Sequence, residues 1–438
     1  MSLSHIPNNL LKNKNILIGV TGSIAIYKSL ELIRHFTKAG ANVRVIMTDS
    51  AMKFITPLTF ETLSSSKVLH SQTEDWSSDL NHVEIGKWAD VFVIAPATAN
   101  TIGKLANGIA DNLLLQTALA FDLRHKKIVL SPSANTNMIN SPFTEANLKL
   151  LRLSNYEILS TQVKQLACKT DGDGAMADPT TIFFQASKEV LKDDFWHNRR
   201  VIVTGGGTIE KIDDVRFISN FSSGKMASSL AISLYFKGAD VCFISSKFPH
   251  DLPSEMCKVE IQSTEEMYNY LVQSVRSAKK GIFTKPSLLN SDSVRNIQKT
   301  PFLFMASAVS DFKPKYPQFG KIKSNEIGDE WILELKKNID ILQSLDKTDV
   351  ITVGFKAELD KANSFLYASN MISNKNLDAV CLNVLKDDKS FGTDVHQIDW
   401  IGKNSKDVVS LPKTDKVSLA FEILNLAKNL EMSQQNEV

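Results

Sequence analysis

The sequence predicts an α/β chain of two doubly wound, Rossmann-like parallel-sheet domains, the second with a projecting β-hairpin arm. Three observations point there. Short apolar runs such as ILIGV, VFVIAPA and RRVIVTG read as strands buried on both faces. Each runs into a turn rich in Gly or Ser and then into a stretch of helical period. The alternation pauses once, at the charged, aperiodic KDDFWHNR, and then restarts. The 438 residues suffice for two or three cores, and 43% hydrophobic with 22% charged residues is an ordinary globular mix. The boundaries read as a first domain at 1–190, a linker at 191–198, a second domain at 199–430 and a frayed tail at 431–438.

In the first half, ILIGV leads to a helix near 24–38, NVRVIM follows, VFVIAPA ends in a helix near Thr98, and KKIVLSPS leads to a helix near Phe143. The second half reads as VIVTG, a helix at 225–236, ADVCFIS, a helix near 264–278, FLFMASAVSD, ITVGF, a helix near 361–371, DAVCLNVL and a last helix at 417–429. Two stretches break the rhythm. Residues 281–300 have no clean period and read as a surface insertion. KIKSNEIGDEWILELK, at 321–336, reads as two short strands around an Ile-Gly-Asp turn, an arm that needs a partner surface and is a candidate subunit contact.

Composition excludes several classes. The 50 basic and 48 acidic residues leave a net charge of +2, and the split near residue 190 gives 18 against 16, then 32 against 32. Neither half carries a nucleic-acid footprint. No apolar run reaches the ~18 residues of a membrane span, and the start lacks a secretory core, so a cytoplasmic address follows by default. Cys168, Cys242, Cys257 and Cys381 form no C-x-x-C pair and have no His-rich neighbourhood, which argues against a disulfide framework and a structural zinc; no metal ligand is assigned. Cys242 and Cys381 sit in apolar runs and read as buried, inert thiols. Cys168 differs, because the polar, Gly-rich CKTDGDGAMADP would present it as a mobile acid or nucleophile.

At the end of the first strand, Gly19, Thr21, Gly22, Ser23 and Ile24 lead into a helix, where backbone N–H groups and a hydroxyl suit a phosphate. A plain tight turn would look similar, and the G-x-G-x-x-G fingerprint is absent. A second strand end supplies Thr98, Asn100, Asn107, Asp111 and Asn112. Ligands bind at such carboxyl ends, so a phosphorylated, nucleotide-like cofactor is the reading, against the alternative that Asn107 and Asn112 only cap helices. His82 lies beside Glu84 and Lys87 and is either structural or catalytic. In SPSANTNM, which also holds Met138, Asn135 either points an amide at a ligand carboxylate or caps the next turn.

In the second half, Gly206 belongs to a glycine run that ends at Thr208, and Arg216, Asn220, Ser222, Ser223, Gly224 and Lys225 lead into a helix. That is phosphate chemistry, although the Walker spacing is absent. Asp311 lies at a strand end, with Lys321 and Lys323 beyond it in the arm. Lys321 with a bound Mg2+ would supply cations to a triphosphate; a solvated edge-strand lysine is the alternative.

GVTGSIAIYK, FITPLT, HVEIGKWADVFVIAPATANTIGKLANGIADNLL, the Asn135 loop and AC-x-x-x-G-x-G-x-M-x-DP together resemble the flavoprotein half of the bacterial bifunctional coenzyme A biosynthesis family, phosphopantothenoylcysteine decarboxylase joined to phosphopantothenate-cysteine ligase. Residues 204–226, with Asp213, Arg216, Asn220 and Lys225 in place, resemble the ligase half, and the likeness runs from about Lys14 to Leu424. It implies a CTP-dependent joining of 4′-phosphopantothenate to cysteine, then decarboxylation to 4′-phosphopantetheine with FMN, which oxidises the thiol-bearing carbon so that CO2 can leave and afterwards reduces the enethiol. It also implies roles. Gly22, Ser23, Ile24, Thr98 and Asn100 hold FMN; His82 assists the oxidation, Asn135 holds the substrate carboxylate and Cys168 provides the last proton. Asn220 stabilises the acyl-cytidylate, Lys321 meets the triphosphate, Asp311 is a nucleotide or metal contact, and Gly206, Phe355 and Lys375 complete the nucleotide region. Met138, Arg216, Ser222, Ser223 and Lys225 contact substrate. Trimeric flavin domains and dimeric ligase domains, with the arm at the dimer contact, imply a homo-oligomer that builds to a dodecamer. The chain departs from the family pattern at Ala134, Lys169, Ala175, Ile339, Lys356 and Leu359. A rival is a flavin-binding regulatory protein that acts on phosphatases without turnover, but it predicts lost catalytic residues and an acidic tail, and MSQQNEV has no acidic run.

Overall fold

The computed structural model describes residues 3–165, 171–289, 294–323, 329–385, 393–403 and 408–435. Its contacts divide the chain into one unit of Met1–Lys192 with Thr284–Arg295 and another of Asp193–Phe283 with Asn296–Val438.

The first unit runs β1 (Asn15–Val20), α1 (Tyr27–Lys38), β2 (Asn42–Met47), α2 (Asp49–Met52), α3 (Pro57–Ser64), α4 (His82–Trp88), β3 (Val91–Ala97), α5 (Ala99–Ala106), α6 (Leu113–Ala120), β4 (Lys127–Pro132), α7 (Thr136–Ile139), α8 (Pro142–Leu153), β5 (Tyr156–Ile158), β6 (Gln162–Gln165), β7 (Asp171–Ala175) and α9 (Pro179–Leu191). Its parallel sheet has the order β2-β1-β3-β4-β5. Helices cover both faces, so β3 is buried at every position, as an all-apolar run requires. On α1 the buried residues Ser29, Leu32, Ile33 and Phe36 recur at helical spacing and form one inward stripe. The strand order reverses between β1 and β3, which opens a crevice at their carboxyl ends. Outside the sheet, β6 and β7 pair as an antiparallel ribbon.

The second unit runs β8 (Arg200–Gly205), β9 (Ile209–Lys211), β10 (Phe217–Ser219), α10 (Lys225–Phe236), β11 (Asp240–Ser245), β12 (Cys257–Glu260), α11 (Thr264–Ala278), β13 (Ile282–Phe283), β14 (Asn296–Ile297), β15 (Phe302–Met305), β16 (Phe312–Pro314), β17 (Leu335–Lys337), α12 (Ile341–Ser344), β18 (Ile351–Glu358), α13 (Ser364–Lys375), β19 (Ala379–Val384), β20 (Val395–His396), β21 (Asp399–Gly402), β22 (Val409–Ser410), β23 (Thr414–Asp415) and α14 (Lys416–Gln435). The main sheet has the order β12-β11-β8-β15-β18-β19-β21-β22, parallel up to β19 and antiparallel beyond it. Its reversal lies between β8 and β15.

The structure differs from the sequence reading in four places. The segment set as a linker contributes Trp196, which is fully buried against Phe195 and Phe302. Its aromatic pair outweighs its charges. The last helix continues to Gln435, past the start of the expected tail, because Glu431 takes two hydrogen bonds from Arg199, at 2.9 and 2.8 Å. In the arm, residues 321–323 form no strand: Asp213 Oδ2 accepts from the Ile322 N–H and Arg216 donates to the Ile322 carbonyl, so this stretch is tied down as a loop. The antiparallel ladder that closes the arm is β16 with β17, and part of the Ile-Gly-Asp turn lies outside the described residues. The insertion has a two-stranded stem, β13 with β14, and Leu288 N–H donates to the Leu153 carbonyl at 2.7 Å.

Arg199 is 3% exposed and its guanidinium lies 4.0 Å over the Phe195 ring. Burial pushes the Glu431 carboxyl up, but the Arg199 hydrogen bonds and charge outweigh it, so the group titrates below the usual range. The folded-state value is depressed, so this stabilisation is complete above the ordinary carboxylate pKa of about 4.3 and is lost as pH falls through the lowered value. Glu431→Gln is expected to cost up to about 3 kcal/mol in urea unfolding at pH 7. Variant and wild type should converge only once pH has fallen through the lowered Glu431 value; a difference undiminished in strong acid would remove the charge from the explanation.

Candidate functional site

In the first unit the crevice between β1 and β3 is built by hydroxyls. The Thr21 hydroxyl donates to the Pro96 carbonyl at 2.7 Å and accepts from the Thr98 N–H at 3.2 Å, so one buried side chain joins the two strand ends. Thr98 caps α5, and its hydroxyl accepts from the Thr101 N–H. Ser23 caps the turn before α1 and its Oγ lies 3.1 Å from Ser133 Oγ, just past β4. A Cβ on Gly22 would lie 2.6 Å from Ser50 Cβ, which explains the glycine at this approach. Ser131 Oγ is buried with no hydrogen-bond partner among the described residues, and Ile24 stands 58% exposed beside these donors. Hydroxyls, backbone donors and an exposed apolar side chain fit an organic phosphate with a flat, apolar body. Asn100 is exposed on the first turn of α5, whereas Asn107 and Asn112 are a helix C-cap and N-cap, as the alternative reading held.

Asn135 is the N-cap of α7, where its Oδ1 accepts from the Asn137 N–H at 3.0 Å, and Met138 is half exposed in the same turn. The two glycines of DGDGA lie directly on this loop. A Cβ on Gly172 would come within 2.2 Å of Thr136 Oγ1, and one on Gly174, at φ +141°, within 2.2 Å of the Ala134 carbonyl. Ala134 N–H donates to the Gly174 carbonyl at 3.1 Å. Their glycines therefore serve close approach. Asp178 accepts from Gln162 and Lys164 of β6, and Lys28 donates to the Met176 carbonyl, which fixes the base of the ribbon. Cys168 and Lys169 lie outside the described residues.

His82 opens α4, with Asn81 as the cap that accepts from the Val83 and Glu84 N–H groups. Its partner is Glu74, which the sequence reading missed because it lies eight residues upstream in an aperiodic loop: Nδ1 to Oε1 is 2.7 Å. A carboxylate at Nδ1 fixes the proton there and leaves Nε2 as the acceptor of the neutral ring. The edge of Trp76 packs at 5.3 Å. Glu84 pairs with Lys87 instead, at 2.7 Å.

Two cavities open at the carboxyl ends of the second sheet. One, of about 510 Å3, is lined by residues 220–227 and 306–308 with Phe355, Lys356, Asn383, His396 and Lys416. The other, of about 590 Å3, holds Asp311, residues 337–342, Tyr367 and Lys375, where Lys375 pairs with Asp340 at 3.1 Å. Ser307, Phe355 and Lys356 line both. Asn220 donates to the Val309 carbonyl at 2.9 Å, which sets it on the rim of the first cavity beside Ser222, Ser223 and Lys225. Gly206, at φ +73°, packs beside Gly224 so that α10 begins against the end of β8. Lys356 pairs with Glu358 at 3.0 Å.

Several expected residues stand elsewhere. Thr208 is fully buried, bonded to Thr264 and to the Ser310 N–H, and belongs to the scaffold. Arg216 is held by Asp213 at 2.7 Å, and neither Arg216 nor the exposed Lys321 lines either cavity. Burial pushes the Cys381 thiol up, in keeping with an inert role, but Cys242 is only half-buried and its Sγ lies 3.7 Å from Cys257 Sγ on the adjacent strand. The parallel register places these two side by side, which spacing in sequence does not reveal. No helix among the described residues is long and apolar enough to cross a membrane, and none of their His, Cys, Asp and Glu side chains gather in threes to hold a metal.

The family model described as Flavoprotein matches residues 4–190, and that described as DNA/pantothenate metabolism flavoprotein C-terminal domain matches 196–285 and 288–430. Curated relatives include the coenzyme A biosynthesis bifunctional protein CoaBC of Borreliella burgdorferi, 33% identical and covering 95% of this chain and 99% of the relative. The protein of the same name from Bacillus subtilis is 35% identical, with 95% and 97% covered. Among solved structures, the C-terminal domain of a CoaBC protein is 26% identical, covers 55% of this chain and all of its own, and has a TM-score of 0.42. Matched in order over both halves, the chain belongs to the family of bifunctional coenzyme A biosynthesis flavoproteins.

Proposed function

We propose that the second domain, read as residues 199–430, joins 4′-phosphopantothenate to cysteine at the expense of CTP, and that the first, read as residues 1–190, decarboxylates the product to 4′-phosphopantetheine with FMN. The observation that carries this is the ordered pair of family matches, with relatives covering nearly the whole chain. In the ligation, the pantothenate carboxylate attacks the α-phosphate of CTP and pyrophosphate leaves; the cysteine amine then takes the acyl group and CMP leaves. The first cavity takes the acyl substrate and the second the nucleotide, so the reacting atoms meet at the shared wall of Ser307, Phe355 and Lys356. Asn220 steadies the activated acyl group, Lys375 meets phosphates in the second cavity, Asp311 would take the Mg2+ that enters with the triphosphate, and the arm residue Lys321, which lines neither cavity of this chain, would have to reach the phosphates from outside.

In the first unit, Gly22, Ser23 and Thr98 would hold the phosphate of FMN, and the exposed Ile24 would offer its flat body an apolar side chain. When bound, FMN supplies the reversible two-electron oxidation of the thiol-bearing carbon. His82, oriented by Glu74, accepts a proton at Nε2, Asn135 holds the leaving carboxylate, and Cys168 returns a proton at the end. The protein works in the cytoplasm as a homo-oligomer with trimeric flavin and dimeric ligase contacts. Mass spectrometry of products from the full-length protein with 4′-phosphopantothenate, cysteine, CTP and Mg2+ is expected to show 4′-phosphopantetheine and CMP. Accumulated phosphopantothenoylcysteine would sink the decarboxylase assignment, and unreacted substrate the ligase assignment.

A further inference from the structure

Lys416 opens α14 and is only 7% exposed, yet it lines the first cavity. Its ammonium donates to the Thr393 carbonyl, and among the described residues no carboxylate lies within ion-pair distance of it. Lys225 approaches the same place from the start of α10 and pairs with Asp394 at 2.6 Å. Among the described residues, the ionisable groups that face this end are Lys225, Lys416, Asp394, His396 and His250, with Asp251 next to His250. Among the described residues both ammonium groups face Asp394, whose carboxylate is 82% exposed on a segment free of the main sheet. A screened pair of this kind is weak and readily exchanged. The neutral donors beside it, the hydroxyls of Ser222 and Ser223 and the first N–H groups of the twelve-residue α10, suit a group with several acceptor oxygens.

We propose that Lys416 is a positioning residue for the phosphate monoester of the ligation substrate, which it holds together with Lys225, and that Asp394 occupies that place until the phosphate displaces it. The proposal rests on the ligase reading and adds a residue and an exchange to it. A buried lysine with no ion-pair partner of its own among the described residues is explained by a dianion that arrives with the substrate. It also gives the cavity a direction, with the phosphate at the Lys416 end and the carboxylate toward Asn220 and the shared wall.

Burial first, then the charge of Lys225, lowers the Lys416 ammonium to about 8 against the partial support of Asp394. The cation that holds the phosphate is thus lost as pH rises through that value in the free protein. The test is calorimetric titration of the full-length protein with 4′-phosphopantothenate and, separately, with unphosphorylated pantothenate, across pH 6.5 to 9.5 (roughly one and a half units each side of that value). Lys416→Met is expected to weaken the phosphorylated ligand by at least about tenfold and to leave the unphosphorylated one unchanged. Lys416→Arg keeps its charge throughout, so its affinity should stay level above about pH 8 where that of the wild type falls. Asp394→Asn should bind the phosphorylated ligand at least as well as the wild type. Equal pH profiles for wild type and Lys416→Arg overturn the role of Lys416, even if the Met variant does not fold. Wild-type protein that ignores 4′-phosphopantothenate altogether overturns the ligase reading instead, and this proposal with it.

Discussion

Alanine at Asn220 is expected to lower kcat for ligation by about 10²–10³, the cost of removing one preorganised donor from an activated acyl group. Its amide is fixed by the Val309 carbonyl at 2.9 Å, so the side chain is already placed before substrate arrives. KM for 4′-phosphopantothenate should stay within about threefold, because the lost contact belongs to the transition state. The same variant, given phosphopantothenoylcysteine directly, should decarboxylate it at the wild-type rate, since that chemistry is assigned to the other unit. Steady-state assays of the two half-reactions separate the cases. Equal losses in both would mean that Asn220 supports the fold, and no loss in either would remove it from the site.

The second large effect concerns the imidazole. His82→Ala is expected to reduce decarboxylation by about 10²–10⁴, the range for a positioned acid or base. Glu74 bonds Nδ1 at 2.7 Å and also accepts from the His82 N–H at 3.4 Å, both on the same residue, so Glu74→Ala should cost less, and the double variant should be about as slow as His82→Ala. This double-mutant cycle reads coupling, which a general loss of packing would not reproduce. Additive losses would break the assignment of Glu74 as the orienting partner.

Much of the fold was legible because parallel strands are apolar on both faces. The helices at Lys225–Phe236 and Thr264–Ala278 begin and end where the sequence reading placed them; the second has a Ser263 cap and an inward stripe of Met267, Leu271 and Val275, while the first starts after Gly224 and is buried on all sides from Ala227. What depended on distant pairing was not legible. KDDFWHNR looked like a linker because its charges are visible in sequence and the pocket that buries Trp196 is not. Glu431 looked like the edge of a tail until Arg199, 232 residues away, supplied its partner. The candidate site divides the same way. Gly22, Ser23, Thr98, Ser222 and Lys225 are near strand ends and helix starts, so local pattern finds them. Glu74 and Lys416 sit in stretches without a motif, and only the fold brings them to His82 and to the cavity. Thr208 shows the converse: a good motif position, wholly consumed by hydrogen bonds to Thr264 and Ser310.

The wall of Ser307, Phe355 and Lys356 between the two cavities has a consequence for inhibition. A molecule with one arm in each cavity surrenders its translational freedom once, and its second arm then meets its site at a local concentration set by the tether. When the tether matches the thickness of that wall, avidity exceeds either arm alone by about 10²–10⁴ without any new contact. A bisubstrate ligand built across β18 therefore gains most from a short, stiff connection.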